Sequence, residues 1–241
     1  MTRPNDELTT GLCADERGMS EVIAFTLVFA IIISSVVFLS MTGLQAMNDY
    51  QTSEQSLNAE RAMTSLTANF NDVVQYDGVE KRYGELALRG GRVTADTGGT
   101  SVTIETSGGT LDTSYDLGAF TYESESGVIA YEGGGLIRAT DESSVFLEEP
   151  MFTCNDDAAL VSLVRIDSER SPLRSDGNVG VTMTRTGRTR TVYDTSKVTV
   201  TVDDPATEYD RAWQSIGTNG EWTCSGVDRV AVTVVTVTVD Y

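Results

Sequence analysis

The chain has no histidine, only two lysines (Lys81 and Lys197), four prolines and three cysteines among its 241 residues. Without histidine it lacks the commonest general base, the commonest zinc ligand and any Ser-His-Asp or Cys-His arrangement. Basic residues are outnumbered 17 to 36 by acids, giving a formal net charge of −19 with the acids dispersed along the chain. That balance excludes the basic stripe with which proteins displace counterions from nucleic-acid phosphates. There is no Asn-x-Ser/Thr site for N-glycosylation.

The motifs that carry chemistry are also missing. Gly133-Gly134-Gly135 lacks the following helix and the Lys-Ser/Thr of a nucleotide loop, so it reads as a hairpin turn. Asp156-Asp157 and Asp203-Asp204 lack the alternating acids and glycine of a calcium loop. No metal, no cofactor and no enzymatic activity are therefore expected. Of the cysteines, Cys13 precedes the apolar run described below, and loss of a leader would leave Cys154 and Cys224. These form either a disulfide suited to an extracytoplasmic domain or two buried thiols. Scarce lysine, dispersed acids and abundant Thr and Gly resemble the proteins of salt-loving archaea, and an acidic extracellular domain from any organism has the same balance.

What the chain does have is one long hydrophobic run. From Val22 to Leu39 there is no charge and Val, Ile, Leu and Phe dominate; uncharged sequence continues to Asn48. About 20 such residues suffice to cross a bilayer. About 13 large apolar side chains at 0.3–0.6 kcal/mol each favour insertion by roughly 4–8 kcal/mol. Ser34, Ser35 and Ser40 dilute the run, but their hydroxyls can bond back to helix carbonyls. Beyond it, Leu57, Met63, Leu66, Phe70 and Val73 or Val74 recur at helical spacing, and no proline interrupts Glu21–Tyr76. One long helix is expected, apolar all round over 22–42 and amphipathic afterwards, stopping at Asp77-Gly78. Its second half is expected to lie against either the downstream domain or a neighbouring subunit.

After Gly84 the pattern changes to short alternating runs separated by glycines. It predicts strands at 85–88, 92–95, 101–105, 118–122, 127–131, 136–139, 144–147, 160–166, 179–185, 189–193 and 197–202. Turns are expected at Gly90-Gly91, Gly98-Gly99, Gly108-Gly109, Gly133–Gly135 and Thr186-Gly187. Asp204-Pro205 reads as the start of a short helix anchored by Trp213 and ending before Gly217. The last strand, Arg229–Asp240, is apolar at 230, 232 and 234 and then at 235, 237 and 239. That phase change requires a bulge or burial on both faces, and so valine-rich a strand is expected to be central. The fold class is thus α+β: a leader (1–18), a long N-terminal helix (19–78) and an antiparallel β-rich sandwich or open barrel (79–241).

The junction before the apolar run is its most specific feature. A secretory signal would place its basic residues before a shorter core and a small-residue cleavage site after it. Here Arg17-Gly18-Met19-Ser20-Glu21-Val22-Ile23-Ala24-Phe25 runs directly into the long helix. This resembles the class III signal of archaeal type IV pilin-like proteins, in which prepilin peptidase cuts after a basic residue plus Gly or Ala. Arg17 and Gly18 match those positions, and Met19 would become the mature N-terminus. Ser20, Val22, Ile23 and Ala24 are similar to the Ser-x-Val-Ile-small pattern of haloarchaeal pilins; Glu21 stands where many of those have proline. Tyr131-Glu132-Gly133-Gly134-Gly135 and the Trp213 helix also resemble segments of haloarchaeal pilin-like proteins.

The resemblance implies a membrane-held precursor with a cytoplasmic leader and an external β-rich domain. Its partners would be membrane lipid, prepilin peptidase, an assembly ATPase with its platform protein, and copies of itself, with Glu21, Val22, Ile23 and Phe25 in the assembling helix. The alternative expectation is a single-span anchored surface protein whose β-rich domain binds a partner or the cell envelope without polymerising.

Overall fold

A computed structural model describes residues 16–107, 111–205 and 208–241, without the side chains of 16–19, 48, 49, 51, 52 and 204. Residues 1–15, with Cys13, and the expected Gly108-Gly109 turn lie outside the described residues. Helix α1 runs from Glu16 to Gln75. The strands before α2 are β1 Lys81–Ala87, β2 Arg92–Asp96, β3 Ser101–Thr106, β4 Asp112–Asp116, β5 Ala119–Ser124, β6 Gly127–Glu132, β7 Gly135–Ala139, β8 Ser144–Glu148, β9 Phe152–Cys154, β10 Ala158–Ile166, β11 Arg170–Arg174, β12 Asn178–Tyr193 and β13 Lys197–Asp204. Helix α2 (Asp210–Gln214), β14 (Glu221–Ser225) and β15 (Arg229–Asp240) follow. The chain divides into two compact units, 1–51 and 52–241.

In the first unit, Ser20–Met47 is a helix long and apolar enough to cross a membrane, and none of it is buried. Three of its hydroxyls bond back to helix carbonyls, which spares them an unpaired state in an apolar environment. Thr26 donates to the Val22 carbonyl at 2.9 Å, Ser35 to that of Ile31 at 2.7 Å and Thr42 to that of Phe38 at 3.0 Å.

In the second unit, α1 continues as an amphipathic helix whose stripe docks on the β-rich domain of the same chain. Ala59, Met63, Leu66, Phe70, Val73 and Val74 are buried, which decides between the domain and a neighbouring subunit in favour of the domain. Leu57 departs from the expected stripe and stays 42 % exposed. The helix ends before Asp77-Gly78 as read. It has no basic residue of its own in the last turn. Strand β12 supplies that charge instead. Arg185 donates to the carbonyls of Val73 and Asp77, and Arg188 pairs with the Asp77 carboxylate, where the helix's negative end favours cations.

The β-rich domain consists of curled, mainly antiparallel sheets forming a half-barrel or sandwich. One sheet has the order β1-β12-β15-β10-β9, a second β11-β2-β5-β6-β7-β8 and a third β14-β13-β3-β4. Strand β15 is central as expected, antiparallel to β12 and parallel to β10. Its phase change is a change of core. Val230, Val232 and Val234 enter one hydrophobic cluster, whereas Val235, Val237 and Val239, on the opposite face, join the cluster beneath α1.

Three sequence readings need correction. Thr186-Gly187 is not a hairpin turn: β12 is one strand of 16 residues with a register shift between Arg185 and Gly187. Pairing with β15 on both sides of the extra residue carries the strand through as a bulge. Asp204-Pro205 does not open a helix, because β13 holds Asp204 and α2 starts at Asp210 without a side-chain cap. Finally β4, β9, β11 and β14 are strands that the pattern missed. The exposed edges are blunted by Pro172 in β11 and by Arg190 on the part of β12 beyond β1.

Candidate functional site

The junction residues Arg17, Gly18 and Met19 lie within α1, which begins at Glu16; their side chains are outside the described residues. Glu21, Val22, Ile23 and Phe25 follow on the same helix, all exposed. Phe25 stacks on Phe29 one turn later, with ring centroids 6.2 Å apart. No ion pair to Glu21 forms among the described residues. From Val22 to Leu39 the helix presents an exposed, predominantly apolar surface that a lipid tail or another helix can cover.

Cys154 and Cys224 form a disulfide, with Cα atoms 5.6 Å apart across 70 residues of sequence. It ties β9 in the first sheet to β14 in the third.

Two segments singled out separately in the sequence meet in space. Tyr131 to Gly135 is the β6–β7 hairpin, with Gly133 at φ +63° and Gly134 at φ +96°, the left-handed pair that a two-residue turn favours. Neighbouring side chains at its end point to opposite faces. On one face the Tyr131 hydroxyl donates to Asn71 Oδ1 at 2.8 Å, while Asn71 Nδ2 donates to the Gly134 carbonyl at 3.0 Å. On the other face the carboxylate of Glu132, fully buried, accepts from the Thr100 amide at 2.7 Å, the Thr100 hydroxyl at 2.9 Å and Trp213 Nε1 at 2.5 Å. Gly133 leaves room for this indole: a Cβ there would lie 3.0 Å from Trp213 Cη2. Trp213 is the expected anchor, also packed edge-on against Phe146 at 5.3 Å.

Burial pushes the Glu132 carboxyl up to about 7, overcoming the hydrogen bonds that favour its charged form. Asp96, of the same sign, adds to the rise. Burial also pushes up the Tyr131 and Tyr209 hydroxyls, Tyr209 further through the field of Glu132. Sequence reasoning did not mark Glu132 as a site residue. The available signal was its parity, because it follows Ala130 on the face of β6 turned to the second core.

A surface pocket of about 340 Å³ borders this region, lined by Asp141, Glu142, Asp210 and Arg211 among others. Arg211 donates to the Glu142 carbonyl. Among the described residues no three His, Cys, Asp or Glu side chains are grouped to hold a metal ion.

No curated protein and no solved structure matches the chain. A family model described as a family of unknown function (DUF7289) matches residues 17–241, beginning at the arginine of the junction. With all but its first residues covered, the chain belongs to this family, DUF7289.

Proposed function

We propose that the protein is a non-enzymatic, pilin-like precursor of a haloarchaeal surface filament, held in the membrane by the first part of α1. The observation that carries this reading is the fully exposed apolar helix Ser20–Met47 directly after Arg17-Gly18-Met19. Such a helix of 28 residues is about 42 Å long, against an apolar bilayer thickness of about 30 Å. It serves in two successive environments, lipid before assembly and a bundle of identical helices after it, so close packing rather than hydrophobicity sets filament stability. The second half of α1 is committed to its own domain, which leaves the first half for subunit contacts. The Cys154–Cys224 disulfide favours an oxidising location for the β-rich domain and a cytoplasmic leader. In this scheme prepilin peptidase cuts between Gly18 and Met19, and an assembly ATPase with its platform protein draws the helix from lipid.

N-terminal sequencing of the mature protein tests the reading. A start at Met19 is the expected result; a start beyond Ser40 means secretion, and an intact Met1 means a plain membrane anchor. Glu21 is the one acid at the head of the apolar helix, and in a helix bundle it favours a cationic partner, here a neighbour's new N-terminal amine. Glu21→Gln is expected to lower filament yield, counted by electron microscopy, without changing cleavage. Unchanged filaments would remove Glu21 from assembly.

A further inference from the structure

The first sheet runs on past the end of the helix that covers it. The row at the helix end is Arg188, Val235 and Val164, where Arg188 meets the Asp77 carboxylate. Side chains alternate along a strand, so the next rows on the same face are Arg190, Thr233 and Ser162, then Val192, Ala231 and Leu160. Val192 is 51 % exposed and Leu160 41 %. Arg190 is exposed as well. Among the described residues its guanidinium has no hydrogen bond and no ion pair, whereas Arg185 and Arg188 on the same strand are spent on the end of α1. In a chain of net charge −19, the 16 residues of β12 hold these three arginines and no acid. The pocket beside α2 has the opposite character. Its volume of about 340 Å³ is walled by Val128 and Ala139 and carries four acids, Asp141, Glu142, Glu208 and Asp210, against the single Arg211. Among the described residues none of these four carboxylates has an ion pair.

We propose that this open end of the first sheet docks a second copy of the chain, with Arg190 of one copy entering the acidic pocket beside α2 of the next. That the neighbour is a copy rests on the filament reading; the pairing of the two patches rests on their chemistry. The methylene stem of an arginine suits the Val128 and Ala139 wall, and its planar guanidinium suits carboxylates that lack a cation. Val192 and Leu160, in the row beside Arg190, lose water in the same contact. The face of β12 makes the contact and its unpaired edge takes no part. The two patches share no residue and lie on different sheets, so the contact is heterologous. Each copy then keeps one arginine or one pocket free, and the contact repeats from copy to copy instead of closing as a two-fold dimer.

Disulfide trapping between two differently tagged full-length chains in detergent tests this. A Cys13→Ser background leaves the introduced cysteines as the free ones. One chain carries Val192→Cys and the other Thr140→Cys at the pocket. The expected result is a cross-linked pair from the mixture and little from either chain alone. Arg190→Glu in the first chain, or Asp141→Lys with Glu142→Lys in the second, is expected to lower the yield at least about tenfold. Both changes together are expected to restore it. Absence of the mixed cross-link, an equal yield from Val192→Cys alone, a yield indifferent to Arg190→Glu, or a charge swap that fails to restore it overturns the contact. Filaments counted by electron microscopy keep the two readings apart. Filaments without the cross-link overturn the contact alone, and the cross-link without filaments overturns the filament reading alone.

Discussion

Phe70→Ala is expected to destabilise the β-rich unit by about 3–5 kcal/mol, the usual cost of removing a fully buried phenylalanine side chain. Phe70 has no exposed surface and meets two aromatic rings edge-on, with centroid separations of 6.3 Å to Phe120 and 5.6 Å to Tyr131. Phe120 comes from β5 and Tyr131 from β6, so one α1 side chain joins the helix to the middle of the six-stranded sheet. Domain stabilities run to about 5–15 kcal/mol, and a loss of this size removes a large share of the total. Denaturant unfolding of the full-length protein in detergent measures it. Phe25→Ala is the matched comparison: Phe25 is 70 % exposed in the apolar part of α1 and is expected to leave the same transition unmoved. Equal effects from the two variants would contradict the division of labour within α1.

That division was legible in the sequence because helical periodicity is local. Met63, Leu66, Phe70, Val73 and Val74 announce their common face by spacing alone, whereas Leu57 shares the spacing but is left half outside the core. Strand β15 was legible for a similar reason: its valines change parity where its burial changes face. The missed strands share the opposite property. Asp112–Asp116 carries only Tyr115 as a large apolar residue and Arg170–Arg174 contains Pro172, so each is a strand only because a neighbour pairs with it. The Glu132 cluster is hardest to read. Its parity hints at an inward acid, but its donors lie 32 residues before it and 81 after it. No local pattern brings Thr100 and Trp213 to one carboxylate; the sheet topology does.

Removal of the Cys154–Cys224 bridge is expected to cost about 4 kcal/mol, from the loop-closure entropy that a 70-residue separation withholds from the unfolded chain. Topology adds to the case, since the bridge is a covalent tie between the first and third sheets through two of their shortest strands, β9 and β14. Cys154 is exposed and Cys224 is buried at 1 %. Cys154→Ser therefore deletes the cross-link without placing a hydroxyl in the core, and is the cleaner variant. Its denaturation midpoint is expected to match that of the wild-type protein under reductant, and reductant is expected to leave the variant unchanged. If wild-type stability were the same with and without reductant, the bridge would contribute nothing and the compartment reading would lose its structural support. If the expected loss is found, the domain reaches full stability only where thiols are oxidised. Such a loss would support the proposed placement of the β-rich domain outside the cytoplasm.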